Sequence, residues 1–374
     1  MKITHSVSLS KHTSFRTGGN ARFFVAVDSL DELKIVLARA RSENLAYMIL
    51  GEGTNVLASD EDFPGYVIRP MIRGVDFSDG IHIGINSDMS RGGIRGNEGE
   101  DGLVIAGAGE HWDDVVARTV SKNLSGLENL SSIPGSVGAA PVQNVGAYGV
   151  ELKDVLEWVE VFDPKENATK ILSCSDCRFG YRDSFFKSPA GRDLIIIRVA
   201  MKLIPNGRPN ISYKDLANYF SADEGSPMKK SPTIAEVRKA VIQIRRVKLP
   251  DIKEYGTAGS FFKNLVVTDS KYEELAGKFP GLPSFPVEPV DSTALTAHGS
   301  KNGFKKIPLA WILDKVCKLN GTREGDVGVC ETQPLALVNY GQATSAEVKN
   351  FAEKISDIVK EKTGLQIEWE VNLI

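Results

Sequence analysis

Residues 126–152 read GLENLSSIPGSVGAAPVQNVGAYGVEL, a stretch unlike anything else in the chain. Gly126, Gly135, Gly138, Gly146 and Gly149 recur through it, Pro134 and Pro141 interrupt it, and no charged residue stands between Glu128 and Glu151. Glycine and proline weaken or break a helix, so a long helix is excluded. The stretch is also too apolar and too varied for a flexible linker. What remains is a tightly folded loop whose backbone approaches something closely. Without a Cβ, backbone amides reach a ligand and φ turns positive. Such amides suit a diphosphate. A glycine-rich buried turn with no ligand is the competing reading.

The segments before this loop place it. ARFFVAVDSL reads as a strand running into an N-cap at Ser29. LDELKIVLARARSEN then has helical period, with Leu30, Leu33, Val36 and Leu37 on one face. LAYMILGEGTNVLAS follows as strand, turn and short strand, completing a βαβ unit. Its turn, Gly51 to Asn55, sits where phosphate loops sit. However, the full GxGxxG is missing and the segment after Asn55 reads as extended, which excludes the doubly wound dinucleotide fingerprint. GYVIRPMIRGVDF and IHIGIN read as short strands, followed by a glycine-laden surface insert over 86–101. LVIAGAGEHWDDVVARTVSKNL is a second strand–turn–helix, with Trp112, Val115, Val116 and Val120 facing inward.

Beyond the loop, VLEWVEVFDPKENATKILS reads as a hairpin turning at Asp163-Pro164, and LIIIRVAMKLI as a buried strand. A second insert spans 205–232, with a short helix in ISYKDLANYF. TIAEVRKAVIQIRRVKL begins at Thr233 with Glu236 at the capping-box position and ends before Pro250. The last third holds a helix from Asp269, a loop that includes 283–300, a helix in IPLAWILDKVCKLNG, a strand in PLALVNY and a helix over 343–362. LQIEWEVNLI closes as a strand. The sum is α+β.

At 374 residues the chain is too long for one typical domain. The boundaries expected are 1–73, 74–245 and 246–374, with the final strand reaching into the active site. A hydrophobic fraction of 42% and a charged fraction of 25% fit a globular protein. A net charge of −3, with no basic cluster, gives no reason to expect nucleic-acid binding. No apolar run is long enough to cross a membrane and the N-terminus has no secretory core, so a cytoplasmic monomer is expected. Cys174 and Cys177 form a CxxC with no second pair, and read as free thiols, not as a metal site.

Read together, LGEGTNVL, the 126–152 loop, CRFGYRDSFFK, KLPDIKEYGTAGSFFKN and IEWEV occur in an order that resembles the UDP-N-acetylenolpyruvoylglucosamine reductase family. These are flavoenzymes of peptidoglycan precursor synthesis, and the resemblance covers nearly the whole chain. It implies FAD held by two N-terminal subdomains of the vanillyl-alcohol-oxidase type, with a smaller C-terminal α+β domain receiving the substrate. On the first loop it assigns Gly51, Gly53, Thr54, Asn55 and Val56 to the cofactor. On the second it assigns Pro134, Gly135, Ser136, Gly138, Ala139, Gln143, Asn144, Gly146, Ala147, Tyr148 and Gly149.

The chemistry implied is reduction of an enolpyruvyl ether by NADPH through the flavin, which needs a proton donor and a group that stabilises an enolate. Ser260 matches the family's proton donor and Arg182 its carboxylate-pairing arginine. From the residues alone, Ser260 reads as a turn hydroxyl and Arg182 as a structural ion pair. Glu370 matches the catalytic glutamate. Alternation along a strand puts Glu368 on the same face, so only the resemblance selects between them. Tyr181, Tyr213, Arg245, Lys248, Asn264 and Gln333 fall on substrate-binding positions, Tyr213 as a lid tyrosine. Trp369 and Leu265 stand where relatives carry proline. A flavin oxidase of the same fold and a catalytically silent nucleotide-sugar binder are the alternatives.

Overall fold

The computed structural model describes residues 1–78, 102–221, 231–286 and 303–374. The sequence expectations for IHIGIN, for the whole 86–101 insert and for most of 283–300 lie outside these residues. Three packed regions emerge; Phe162, Ile195 and Ile197 of the second pack into the apolar set of the first, and Phe15 and Leu57 of the first into that of the third.

In the first, Lys2–Ser8 pairs antiparallel with Asn20–Val27. Asn20–Val27 and Tyr47–Ile49 both run parallel to Phe63–Pro70, which lies between them. Parallel neighbours need a crossover, and the helix Leu30–Ser42 supplies it. The Ser29 hydroxyl caps it by accepting the Glu32 N–H at 3.2 Å. Leu33, Val36, Leu37 and Ala40 are buried against the sheet, while Leu30 packs at its margin.

The second region is a five-stranded antiparallel sheet in the order Ala168–Ser173, Leu156–Asp163, Ile195–Lys202, Leu103–Gly107, Val75–Ser78. The helix Trp112–Ser121 buries Trp112, Val115 and Val116 against it. Burial of the indole ring carries a hydrogen-bond obligation, met by Nε1 donating to the Leu130 carbonyl at 3.0 Å. That bond fastens the glycine-rich loop to the helix. The capped helix Ile234–Lys248 joins this region through Arg238, whose Nη1 lies 2.6 Å from Asp113 Oδ1.

The third region has Phe261 and Phe262 wholly buried at its centre, with the helix Ser345–Thr363 covering one side. Leu265 opens a strand, Leu265–Thr268, paired with Phe304–Ile307. A strand start tolerates the N–H that a proline would lack. The helix expected in IPLAWILDKVCKLNG begins at Leu309–Trp311 and widens into a π-helix over Ile312–Val316.

The closing segment departs from the sequence reading. LQIEWEVNLI is not one strand; only Asn372–Leu373 is, and it pairs parallel with Val56–Leu57 of the first region. Before that point the chain pairs with the third region, where Glu370 N–H donates to the Phe261 carbonyl at 2.8 Å. Trp369 bridges to Phe262 and meets the Phe261 ring edge-on. The change of partner between Glu370 and Asn372 is what interrupts the strand.

Candidate active site

Leu50 N–H donates to the Ile68 carbonyl and ends the Tyr47–Ile49 strand, after which the chain must turn. Gly53 makes the turn with φ 68°, and a Cβ there would stand 2.1 Å from the His12 carbonyl oxygen. Across from it, Gly135 has φ 124°, and a Cβ on it would lie 3.0 Å from Thr54 Oγ1. At Gly53 glycine lets the turn close on the His12 backbone, and at Gly135 it lets the two loops approach each other. Asn55 Nδ2 bonds Gln143 Oε1, which ties the loops directly.

Between these loops lies a cavity of about 720 Å³. It falls within the roughly 300–1,000 Å³ typical of a ligand site. Gly51, Gly53, Thr54, Asn55, Val56, Pro134, Gly135, Ser136, Gly138, Ala139 and Gln143 all line it. So do Asn372 and Ile374, which the sequence reading did not assign to the cofactor. Among the described residues, none accepts a hydrogen bond from the amides of Gly51 to Asn55, or from those of Gly135 and Ser136. Backbone donors without a protein partner, gathered on a cavity wall, are a cradle for an anion such as a diphosphate. The residues present fit FAD.

The rest of the loop assigned to the cofactor is not part of that cavity wall. Asn144 is fully buried with φ 45°, and its side chain bonds Glu151, the Gly180 carbonyl and the Lys153 N–H. It shapes the loop. Gly146 and Ala147 pair with Glu151 and Val150. Tyr148, with φ 50°, and Gly149 continue toward Tyr213. Scaffold residues that sequence reasoning passed over hold this part in place. Glu128 accepts from Ser125 Oγ and Gly126 N–H, and Asn129 donates to the Tyr148 carbonyl. Their sole signal was polar character inside an otherwise apolar stretch.

The second cluster lies where the three regions meet. Gly180 and Asp183 exchange backbone hydrogen bonds, leaving Tyr181 and Arg182 in a two-residue turn. Arg182 has φ 54°, in the left-handed region that disfavours side chains. Its Nη2 donates to the Gly146 carbonyl at 2.7 Å. Its Nε is 2.8 Å from Glu370 Oε1, yet it makes no aligned hydrogen bond and is buried without an acceptor. Burial opposes the guanidinium charge, but Glu370, Tyr181 and Glu151 outweigh it and hold its pKa above the ordinary value. Glu368, by contrast, points outward and pairs with Lys263. The side chains of the two glutamates are 75% exposed for Glu368 and 12% for Glu370, so geometry separates what alternation could not.

Tyr181 accepts from Asn264 Nδ2 at 3.1 Å, and Asn264 Oδ1 in turn accepts the Leu309 N–H. The Lys306 ammonium stands 4.1 Å over the Tyr181 ring. Ser260, half-buried, bridges to Ala336 and immediately precedes Phe261, the backbone partner of Glu370. Serine and glutamate thus occupy adjoining extended segments.

A third group gathers beside these. The Tyr148 and Tyr213 rings meet edge-on at 5.5 Å, and Arg245 Nε donates to the Ser132 carbonyl. Burial pushes the Tyr148 hydroxyl up to about 12 and draws the Arg245 guanidinium below its ordinary value. Lys248 Nζ lies 2.6 Å from Asp215, two residues past Tyr213, a partner that spacing did not reveal. Thr332 Oγ1 donates to the Lys248 carbonyl, which sets the Gln333 turn against that helix end. No described residue hydrogen-bonds the Gln333 side chain.

A family model of an FAD-binding domain matches residues 21–171. Together with the cavity and its unpaired amides, it defines an FAD-dependent oxidoreductase, built as a two-subdomain FAD-binding fold of the vanillyl-alcohol-oxidase type plus a smaller C-terminal α+β domain. Residues 251–374 match the model of the UDP-N-acetylenolpyruvoylglucosamine reductase C-terminal domain. The chain belongs to the UDP-N-acetylenolpyruvoylglucosamine reductase family. It is 36% identical over 376 residues to the reductase of Flavobacterium johnsoniae, covering 100% of both chains. To that of Pseudomonas aeruginosa it is 36% identical over 373 residues, covering 100% of this chain and 99% of the relative. The solved UDP-N-acetylenolpyruvylglucosamine reductase from Thermus caldophilus superposes with a TM-score of 0.62 at 24% identity, over 100% and 99% of the two chains, and shares the fold.

Proposed function

We propose that the protein reduces UDP-N-acetylglucosamine enolpyruvate to UDP-N-acetylmuramate at the expense of NADPH, a step of peptidoglycan precursor synthesis. FAD, held between the Gly51–Asn55 turn and residues 133–145, supplies hydride transfer from NADPH to the enolpyruvyl β-carbon. The chain's own task is to hold the substrate and manage charge and one proton.

The observation that carries this reading is Arg182. A largely buried guanidinium, paired with Glu370 at 2.8 Å and held on the Gly146 carbonyl at 2.7 Å, is a fixed cation for an anion that arrives with the substrate. In this role it pairs with the enolpyruvyl carboxylate and with the negative charge that develops next to it. Ser260 then gives its hydroxyl proton to the enolate carbon and is reprotonated from solvent. Glu370 holds the guanidinium in place. Tyr181, Asn264, Arg245, Lys248 and Gln333 meet the nucleotide-sugar, with Tyr213 closing over it.

The experiment is anaerobic. NADPH should bleach the bound flavin, and colour should return only when the enolpyruvyl nucleotide-sugar is added. Rapid recolouring by oxygen alone would make the protein an oxidase, and a colourless purified protein would make it a binding module. In Ser260→Ala, bleaching should survive while recolouring by substrate slows roughly 10²–10⁴-fold, as loss of an acid catalyst does. Two unchanged half-reactions would remove Ser260 from the mechanism.

A further inference from the structure

Lys187 belongs to no role assigned so far, yet it sits against the residue on which the proposed chemistry depends. Its Nζ donates to the Arg182 carbonyl at 2.8 Å, its one hydrogen bond among the described residues. No described carboxylate approaches its ammonium as an ion-pair partner. A half-buried lysine bonded to a carbonyl alone gives up hydration for one contact, an expensive arrangement unless the contact matters.

The contact falls on a strained link. Arg182 occupies the left-handed region at φ 54°, a conformation that a non-glycine residue keeps only when its surroundings hold it there. The Asp183 N–H, bonded to the Gly180 carbonyl at 3.2 Å, turns the Arg182–Asp183 peptide so that the Arg182 carbonyl faces away from the turn. The ammonium fixes it from one side, while Nη2 on the Gly146 carbonyl fixes the side chain from the other.

Lys187 is itself anchored. It ends the short Phe185–Lys187 turn, which Ser184 caps by accepting the Phe186 N–H. The same hydroxyl donates to the Val142 carbonyl at 2.7 Å, and Val142 lines the cofactor cavity. A rigid path therefore runs from the cavity wall through Ser184 and Lys187 to the Arg182 backbone. Burial and the neighbouring Lys263 lower the lysine's pKa, and Asp183 and Glu370 oppose that shift.

We propose that Lys187 is a positioning residue: by holding the Arg182 carbonyl it sets the left-handed turn that presents the guanidinium to Glu370 and to the substrate. The idea rests on the reading of Arg182 given under the proposed function, and the test keeps the two apart. Lys187→Met removes the donor at nearly constant volume. Flavin content and its reduction by NADPH should stay within about twofold of the parent. Recolouring by the enolpyruvyl nucleotide-sugar should slow roughly 10- to 100-fold, the range for a lost bond to a charged donor, and Lys187→Arg should restore most of it. In an Arg182→Ala background the methionine substitution should cost nothing further, because its effect passes through Arg182.

If Arg182→Ala leaves recolouring intact, the functional reading fails. If Arg182→Ala slows it and Lys187→Met does not, the inference about Lys187 fails alone. An additive loss in the double variant, or equal slowing of both half-reactions, also overturns it. Should Lys187→Met not retain flavin, Lys187→Gln replaces it with the same split expected. Loss of flavin from both would show that Lys187 serves the fold and not Arg182.

Discussion

Glu368 and Glu370 differ by two positions and by almost everything physical. The first forms an exposed pair with Lys263, the kind whose worth is about 0–1 kcal/mol. The second faces a buried guanidinium, and neutralising it strands that charge. Glu370→Gln is expected to destabilise the protein by roughly 3 kcal/mol, whereas Glu368→Gln should stay within about 0.5 kcal/mol. Urea unfolding of the two variants measures this; similar losses would contradict the burial that separates them. The period-two alternation in IEWEV made the pair indistinguishable in the sequence, because it presumed a regular strand. Which glutamate turns inward depends on a change of pairing partner, and partners are long-range facts that no local pattern carries. The same limit hid Asp215 from Lys248, a contact set by tertiary placement.

Elements with their own local signals were legible. Ser29, Thr233 and Thr344 announce three helices, and each side chain caps its helix. The Asp163-Pro164 hairpin was equally plain, because turn chemistry is local. The glycine loops were legible as close-approach backbone, although Gly51 and Gly135 answer to the opposite loop and Gly53 to the backbone at His12, not to a ligand. The Gly51–Asn55 turn allows this distinction to be tested. Gly53 and Gly259 have nearly the same φ, 68° and 71°. A Cβ on Gly53 would collide with the His12 carbonyl, whereas one on Gly259 would meet nothing within 4 Å. Gly259→Ala should cost about 1 kcal/mol, from conformational strain alone. Gly53→Ala adds a clash to that strain, moves the cradle, and should cost at least about 3 kcal/mol together with most of the bound flavin. Flavin absorbance and melting temperature decide the matter; equal losses at the two positions would mean that φ, not the close approach, is what requires glycine at 53.

For the molecule as a whole, the sequence reading set three regions in series and held no sign of their interleaving. The final residues return to the first region, where Ser59 N–H bonds the Ile374 carbonyl at 2.7 Å, and Arg182 joins the second region to the third through Glu370. Stability should therefore respond as one unit to groups buried in different places. Two of them contribute strongly to its alkaline limit, alongside Cys174, Cys317 and other tyrosines whose pKa values burial raises in the same direction. Burial, with Cys174 and Asp176 nearby, pushes the Cys177 thiol from 9.0 up to about 12, and burial likewise pushes Tyr148 from 10.0 up to about 12. Below about pH 9 the folded and unfolded chains both keep these protons, and the stabilisation is fully present. As pH rises, the unfolded chain releases them first, so unfolding is drawn forward and stability falls until the folded groups titrate near pH 12. The melting temperature should thus decline from about pH 9, earlier than tyrosine alone would cause. Cys177→Ala leaves a small gap in the core, costing on the order of 1 kcal/mol at pH 7, but should flatten the decline between pH 9 and 10. Tyr148→Phe should flatten it only above about pH 10. A Cys177→Ala curve parallel to the parent's throughout would show that the thiol does not remain protonated in the folded core at these pH values.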